Sequence, residues 1–134
     1  MFGNAGTLAA TVTSSGTLNV GDLVKKAGLL SITGGYTQNA AGVLNIDIGG
    51  TTVGTQFDQL NISGAAKLNG ILNLSLINAF VPAIGSTFAI LNYSSRTGQF
   101  SAVNGTRING SEHFTVSYNP TAVVLTVVAG AGSL

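Results

Sequence analysis

A chain of 134 residues is long enough for one domain with a sizeable core and too short for two ordinary ones. Hydrophobic residues make up 45% and charged residues only 7%, against about 25% charged in a typical soluble domain. The net charge is +1 and the basic residues Lys25, Lys26, Lys67, Arg96 and Arg107 are scattered. That excludes the basic stripe needed to neutralise nucleic-acid phosphates or to dock on an anionic membrane. Cysteine is absent, which excludes a disulfide framework and a thiolate metal site.

The apolar runs are short. Ala122 to Leu125, followed by Thr126, Val127 and Val128, is among the longest, far below the roughly 20 residues of a spanning helix. Gly, Ser, Thr and Asn must do the solvating that Lys and Glu do elsewhere. The start, Met1-Phe2-Gly3-Asn4, has neither a charged n-region nor an apolar h-region. With its charge-poor, Asn/Thr/Gly-rich surface, the chain reads as a mature or excised segment of extracellular or bacterial cell-surface material.

Glycine, at 19 residues, leaves no long window for a helix. Only Val20 to Ala27 has the composition for a helical turn. Alternation with a period of two dominates instead, as in Leu44-Asn45-Ile46-Asp47-Ile48, Leu72-Asn73-Leu74-Ser75-Leu76 and Phe114-Thr115-Val116-Ser117-Tyr118. A shorter pattern recurs: aliphatic, small polar, aliphatic. It falls at Leu18-Asn19-Val20, Leu30-Ser31-Ile32, Leu44-Asn45-Ile46, Leu60-Asn61-Ile62 and Leu72-Asn73-Leu74, starting 12, 14, 16 and 12 residues apart. The spacing predicts an all-β chain. Two architectures accommodate it: a β-solenoid of stacked short strands with internal aliphatic ladders, or a β-sandwich. The repetition with Asn or Ser at its centre favours the solenoid for residues 1–76, with the five leucines inside and Asn ladders outside.

The second half carries most of the aromatics and longer strands, Thr87 to Tyr93 and Thr121 to Val128. Tyr118-Asn119-Pro120-Thr121 reads as a turn, so 113–128 is an expected antiparallel hairpin. Residues 77–134 are then a cap, or a sheet that continues the stack. The whole is one domain.

Several motifs in order resemble autotransporter-type passengers and related repeat-rich β-helix proteins of bacterial surfaces. They are Gly35-Tyr36-Thr37-Gln38, Leu44 to Gly50, Phe57 to Gly64, Gly70 to Leu74, Phe80 to Phe88, Thr97-Gly98-Gln99-Phe100 and Tyr118-Asn119-Pro120, spanning roughly 35–128. The resemblance implies export, a parallel β-helix and a stalk-like or adhesive role. It supplies no catalytic residues.

Chemistry is sparse. His113, the one histidine, lies beside Glu112, but neighbours in a strand point to opposite faces. Asp47 and Asp58 are the one candidate carboxylate pair for polysaccharide cleavage or for a calcium ion. Gly49 to Thr55 has no Lys after its last Gly, so it is not a phosphate loop. Thr11-Val12-Thr13 suggests an ice-binding ladder that Ser31, Asn45 and Asn61 do not continue. No catalytic, cofactor or metal site is expected, and the chain reads as a structural protein rather than an enzyme. Its expected partners are copies of itself, joined head to tail into a filament or surface layer through the uncharged terminal strands. The residues expected there are Leu8, Val12, Leu18, Val20, Val123, Val124, Leu125, Val127 and Val128. An adhesive module binding surface glycans through the aromatics of 80–118 is the second reading.

Overall fold

The computed structural model describes residues 6–8, 11–20, 29–52, 56–77 and 79–130. These residues are all-β, in strands β1 to β14, and no helix among them is long and apolar enough to cross a membrane. The turn of helix expected at Val20 to Ala27 lies, apart from Val20, outside the described residues.

The strands are dealt out to three sheets in rotation. β1 (Gly6–Leu8), β2 (Val12–Ser14) and β3 (Thr17–Asn19) each start one sheet. β4 (Leu29–Ile32), β5 (Tyr36–Gln38) and β6 (Val43–Ile48) pair with them in parallel, in the same order. β7 (Gln59–Ile62), β8 (Ala65–Leu68) and β9 (Ile71–Leu76) form the next circuit, and β10 (Thr87–Asn92), β11 (Ser95–Gly98) and β12 (Ala102–Asn104) the one after. β13 (Glu112–Tyr118) and β14 (Ala122–Ala129) then form an antiparallel hairpin. β14 pairs with β10, so the first sheet has six strands in the order β1-β4-β7-β10-β14-β13, while the other two have four each.

The leucine pattern belongs to two ladders rather than one. Leu30 stacks on Leu60, and Leu60 on Leu91, in the first sheet. Leu18, Leu44, Leu72 and Val103 stack in the third. Alternate members of the pattern are thus true neighbours, and one circuit spans two intervals. The five leucines are at most 3% exposed, as the alternation requires. The second sheet carries an inward ladder with no aliphatic run, Val12, Tyr36, Ala66 and Arg96.

Two local devices keep the circuits in step. Corners stack through main-chain bonds: Ile71 N–H donates to Gly42 O at 2.9 Å, and Ser101 N–H to Gly70 O at 2.7 Å. Gly70 is left-handed (φ 68°), and a Cβ there would lie 2.2 Å from Gly42 O, so only glycine fits. In β10, Ile90 and Leu91 are consecutive yet both fully buried. The register shift between Ala89 and Leu91 against β14 accounts for it, since a bulge turns two successive side chains to one face. Phe88 is the aromatic hub. Its ring meets Phe57, Phe80 and Phe114 edge-on at 5.3, 6.3 and 6.0 Å, which ties the 57 and 80 turns and the hairpin to β10.

Leu72 lies at the middle of its ladder with no exposed surface. Replacing it by Ala is predicted to lower unfolding free energy by about 2–5 kcal/mol in urea titrations, whereas Lys67→Ala, on the exposed outer face, should change it by no more than about 0.5 kcal/mol.

Candidate functional site

Inside the corner between the second and third sheets sits a buried polar knot. Gln38 is 2% exposed and Tyr36 is fully buried. The Tyr36 hydroxyl donates to Gln38 Oε1 at 2.7 Å, and Gln38 Nε2 donates to Asn69 O at 2.7 Å, Ile71 O at 3.1 Å and Gly42 O at 3.3 Å. One side chain thus satisfies carbonyls from two successive corners. Burial pushes the Tyr36 hydroxyl pKa up from its usual value near 10, partly offset by Ser14. The arrangement is an architectural brace with no open face.

The outer faces carry amide ladders. Asn104 Nδ2 donates to Asn73 Oδ1 at 3.0 Å, and Asn73 Nδ2 to Asn45 Oδ1 at 3.1 Å. In the first sheet Asn92 Nδ2 donates to Asn61 Oδ1 at 2.7 Å, and Gln59 Nε2 to Ala89 O at 2.8 Å. Each amide hydrogen-bonds the next circuit at little cost in charge.

The expected chemical residues are placed as follows. Asp58 is 1% exposed; its Oδ2 accepts from the Asp47 N–H at 2.8 Å, and its own N–H donates to Asp47 O at 2.9 Å. Asp47 and Asp58 are brought together, but the Asp58 carboxylate braces a turn and is closed to a glycosidic bond. Glu112 and His113 go separate ways: Glu112 Oε1 accepts from Asn109 Nδ2 at 3.0 Å, while His113 Nδ1 lies 3.0 Å from Gly130 O. Among the described residues no three His, Cys, Asp or Glu side chains gather as a metal site. Of the aromatics offered for glycans, Phe88, Tyr93, Phe100 and Phe114 are buried. For the threonine ladder, the true neighbours of Thr13 are Thr37, Lys67 and Thr97, rather than Ser31, Asn45 and Asn61; Lys67 interrupts it.

The residues expected to carry assembly are placed as follows. Val12, Leu18, Val20, Val123, Leu125 and Val127 are at most 7% exposed and belong to the core. Val124 and Val128 are half-buried, and the side chain of Leu8 lies outside the described residues. β14 is not a free edge, because β10 and β13 flank it on both sides. An uncharged C-terminal strand reads as an exposed edge only if nothing follows β10 on its outer side, and the hairpin folds back into that place.

The edges therefore lie elsewhere. Among the described residues, β1, β2 and β3 terminate the three sheets at one end, and β13, β11 and β12 at the other. The two ends differ in chemistry. Residues 6–20 carry no charge, and Val12 and Leu18 point inward. At the far end the outer edge of β13 is partly occupied: Phe114 N–H donates to Thr106 O at 2.7 Å, and Ile108 N–H to Glu112 O at 3.1 Å. There, too, Arg96 sits with its guanidinium 5.1 Å from the centre of the Tyr118 ring, which in turn lies 6.4 Å from Phe100. Sequence reasoning passed over Arg96 as one scattered charge. Its signal is visible once Gly35-Tyr36-Thr37, Ala65-Ala66-Lys67 and Ser95-Arg96-Thr97 are aligned as equivalents. On the loop between β9 and β10, Val81 and Ile84 are 61% and 58% exposed.

Comparison with protein-family models gives no match, and no curated protein matches the chain.

Two outcomes test the buried knot. Gln38→Leu, which strips partners from the Tyr36 hydroxyl and the Asn69 carbonyl, should cost about 1–3 kcal/mol in chemical unfolding. Tyr36, Tyr93 and Tyr118 all have hydroxyl pKa values raised chiefly by burial. Their contribution is intact below the unfolded value near 10 and is lost as pH rises above it, because the unfolded chain ionises first. Unfolding midpoints should fall between pH 9 and pH 11, and less steeply in Tyr36→Phe.

Proposed function

We propose that this chain is a β-solenoid with a structural role in extracellular or cell-surface material, and that it associates through its β1–β3 end with the same end of a second copy. The observation that carries this reading is that, among the described residues, the three sheets end in the uncharged strands β1, β2 and β3, with Val12 and Leu18 turned inward. Edge strands leave backbone donors and acceptors open, and a second copy related by a two-fold axis can pair with them antiparallel. The rotation of strands among three sheets supports a solenoid over a sandwich, since a sandwich does not return each third strand to the same sheet in parallel. The resemblance to autotransporter-type passengers agrees in fold and setting, and the charge-poor, amide-rich surface suits that setting.

Head-to-tail growth into a filament draws less support. The far end adds an antiparallel hairpin to one sheet only, so it does not complement the β1–β3 end. Joining like ends gives a closed, two-fold pair rather than an open fibre.

The test is sedimentation velocity across a concentration series. A monomer–dimer equilibrium is expected. Val12 N–H donates to Gly35 O at 2.9 Å, so the next N–H, that of Thr13, points away from β5 toward the open side. Thr13→Pro removes that outward donor without touching the β5 ladder and should weaken association about tenfold or more. A wild-type chain that stays monomeric at every concentration would sink the reading.

A further inference from the structure

The ladder Val12, Tyr36, Ala66 and Arg96 is unusual in its last member. The first three are inward and at most 7% exposed. Arg96 stands directly on Ala66, flanked by the exposed Ser95 and Thr97 and itself half-buried. A cation therefore occupies a core-facing position on β11, the edge strand of the second sheet. Its Nη1 donates to the Gly98 carbonyl, its Nε is buried with no hydrogen-bond partner, and one side of the guanidinium is covered by the Tyr118 ring of the hairpin.

We propose that Arg96 is the stop for coil addition: by placing a guanidinium at the inward position of the last circuit, it bars another solenoid coil, such as that of a second copy, from stacking on the β11–β12 end. This rests on the solenoid reading given above. A coil laid on β11 would set a side chain over Arg96 and take its charge out of water with no carboxylate to receive it, which is strongly unfavourable. Inward-pointing charge on an edge strand is a known guard against edge-to-edge pairing. On the β2 edge the equivalent position is the uncharged Val12. Tyr118 holds the guanidinium in place by cation–π attraction, which links the guard to the hairpin.

The experiment replaces Arg96 by Val, the residue at the first position of its own ladder, in the wild-type and in the Thr13→Pro chains. Sedimentation velocity and electron microscopy give the size of the species; far-UV circular dichroism and thermal melts establish that each is folded. In the Thr13→Pro background, Arg96→Val should convert monomers to dimers through the newly permitted end. In the wild-type background it should convert dimers to longer end-to-end fibres. Arg96→Gln, neutral but able to keep the Gly98 contact, should associate in the same sense and serves if the Val variant does not fold. Arg96→Lys, which keeps the charge, should behave as its parent. Folded Val or Gln variants with unchanged size in the Thr13→Pro background would overturn the proposal, as would equal association by Arg96→Lys. Failure of the β1–β3 reading shows separately, as a wild-type chain that is monomeric and indifferent to Thr13→Pro.

Discussion

The parallel register of one circuit on the next is the constraint from which the rest of this molecule follows. Leu44 must stand on Leu72 and Leu30 on Leu60, because a slip of one residue would turn every inward side chain outward. The strands are only three to eight residues long, too short to set register by themselves. Corners, ladders and core therefore specify it jointly. Gly70 fits the turn only where Gly42 passes beneath it, and Gln38 reaches carbonyls only if two corners are in line. Each device presupposes the register and also enforces it.

The same constraint explains how a chain with so few charges keeps its polar atoms satisfied. Circuits recur 28 to 31 residues apart in the amide ladders, so like residues meet like. An amide is both donor and acceptor, so it can bond to a copy of itself in each successive circuit. A Lys or Glu in the same place would meet its own sign in the next circuit. The low charge is thus a consequence of repetition, and Arg96 is placed where repetition ends.

The all-β character, the burial of the five leucines and the turn at Tyr118 to Thr121 were legible from alternation and turn chemistry alone. The true period was not. Two ladders in different sheets share one short pattern, and intervals of 12 to 16 residues conceal a circuit about twice as long. The second sheet hid most completely, because Tyr36, Ala66 and Arg96 have no property in common except position. Missing that equivalence put Thr13 beside the wrong neighbours and left Arg96 among the scattered charges. β14 misled for another reason: an uncharged strand near the chain end is the same string of letters whether it lies at an edge or between two strands.

The hairpin has a consequence for the order in which the chain folds. Its partners are close in sequence, Tyr118 facing Val123, whereas each circuit must close a loop of about thirty residues before a strand of a few residues finds its mate. Local pairing is fast and distant pairing slow. The least costly route begins with β13 and β14, whose free edge and apolar face receive β10; β7 then adds to β10, β4 to β7, and β1 to β4. The β13–β14 hairpin is thus a local pairing, whereas the circuits that precede it depend on longer closures.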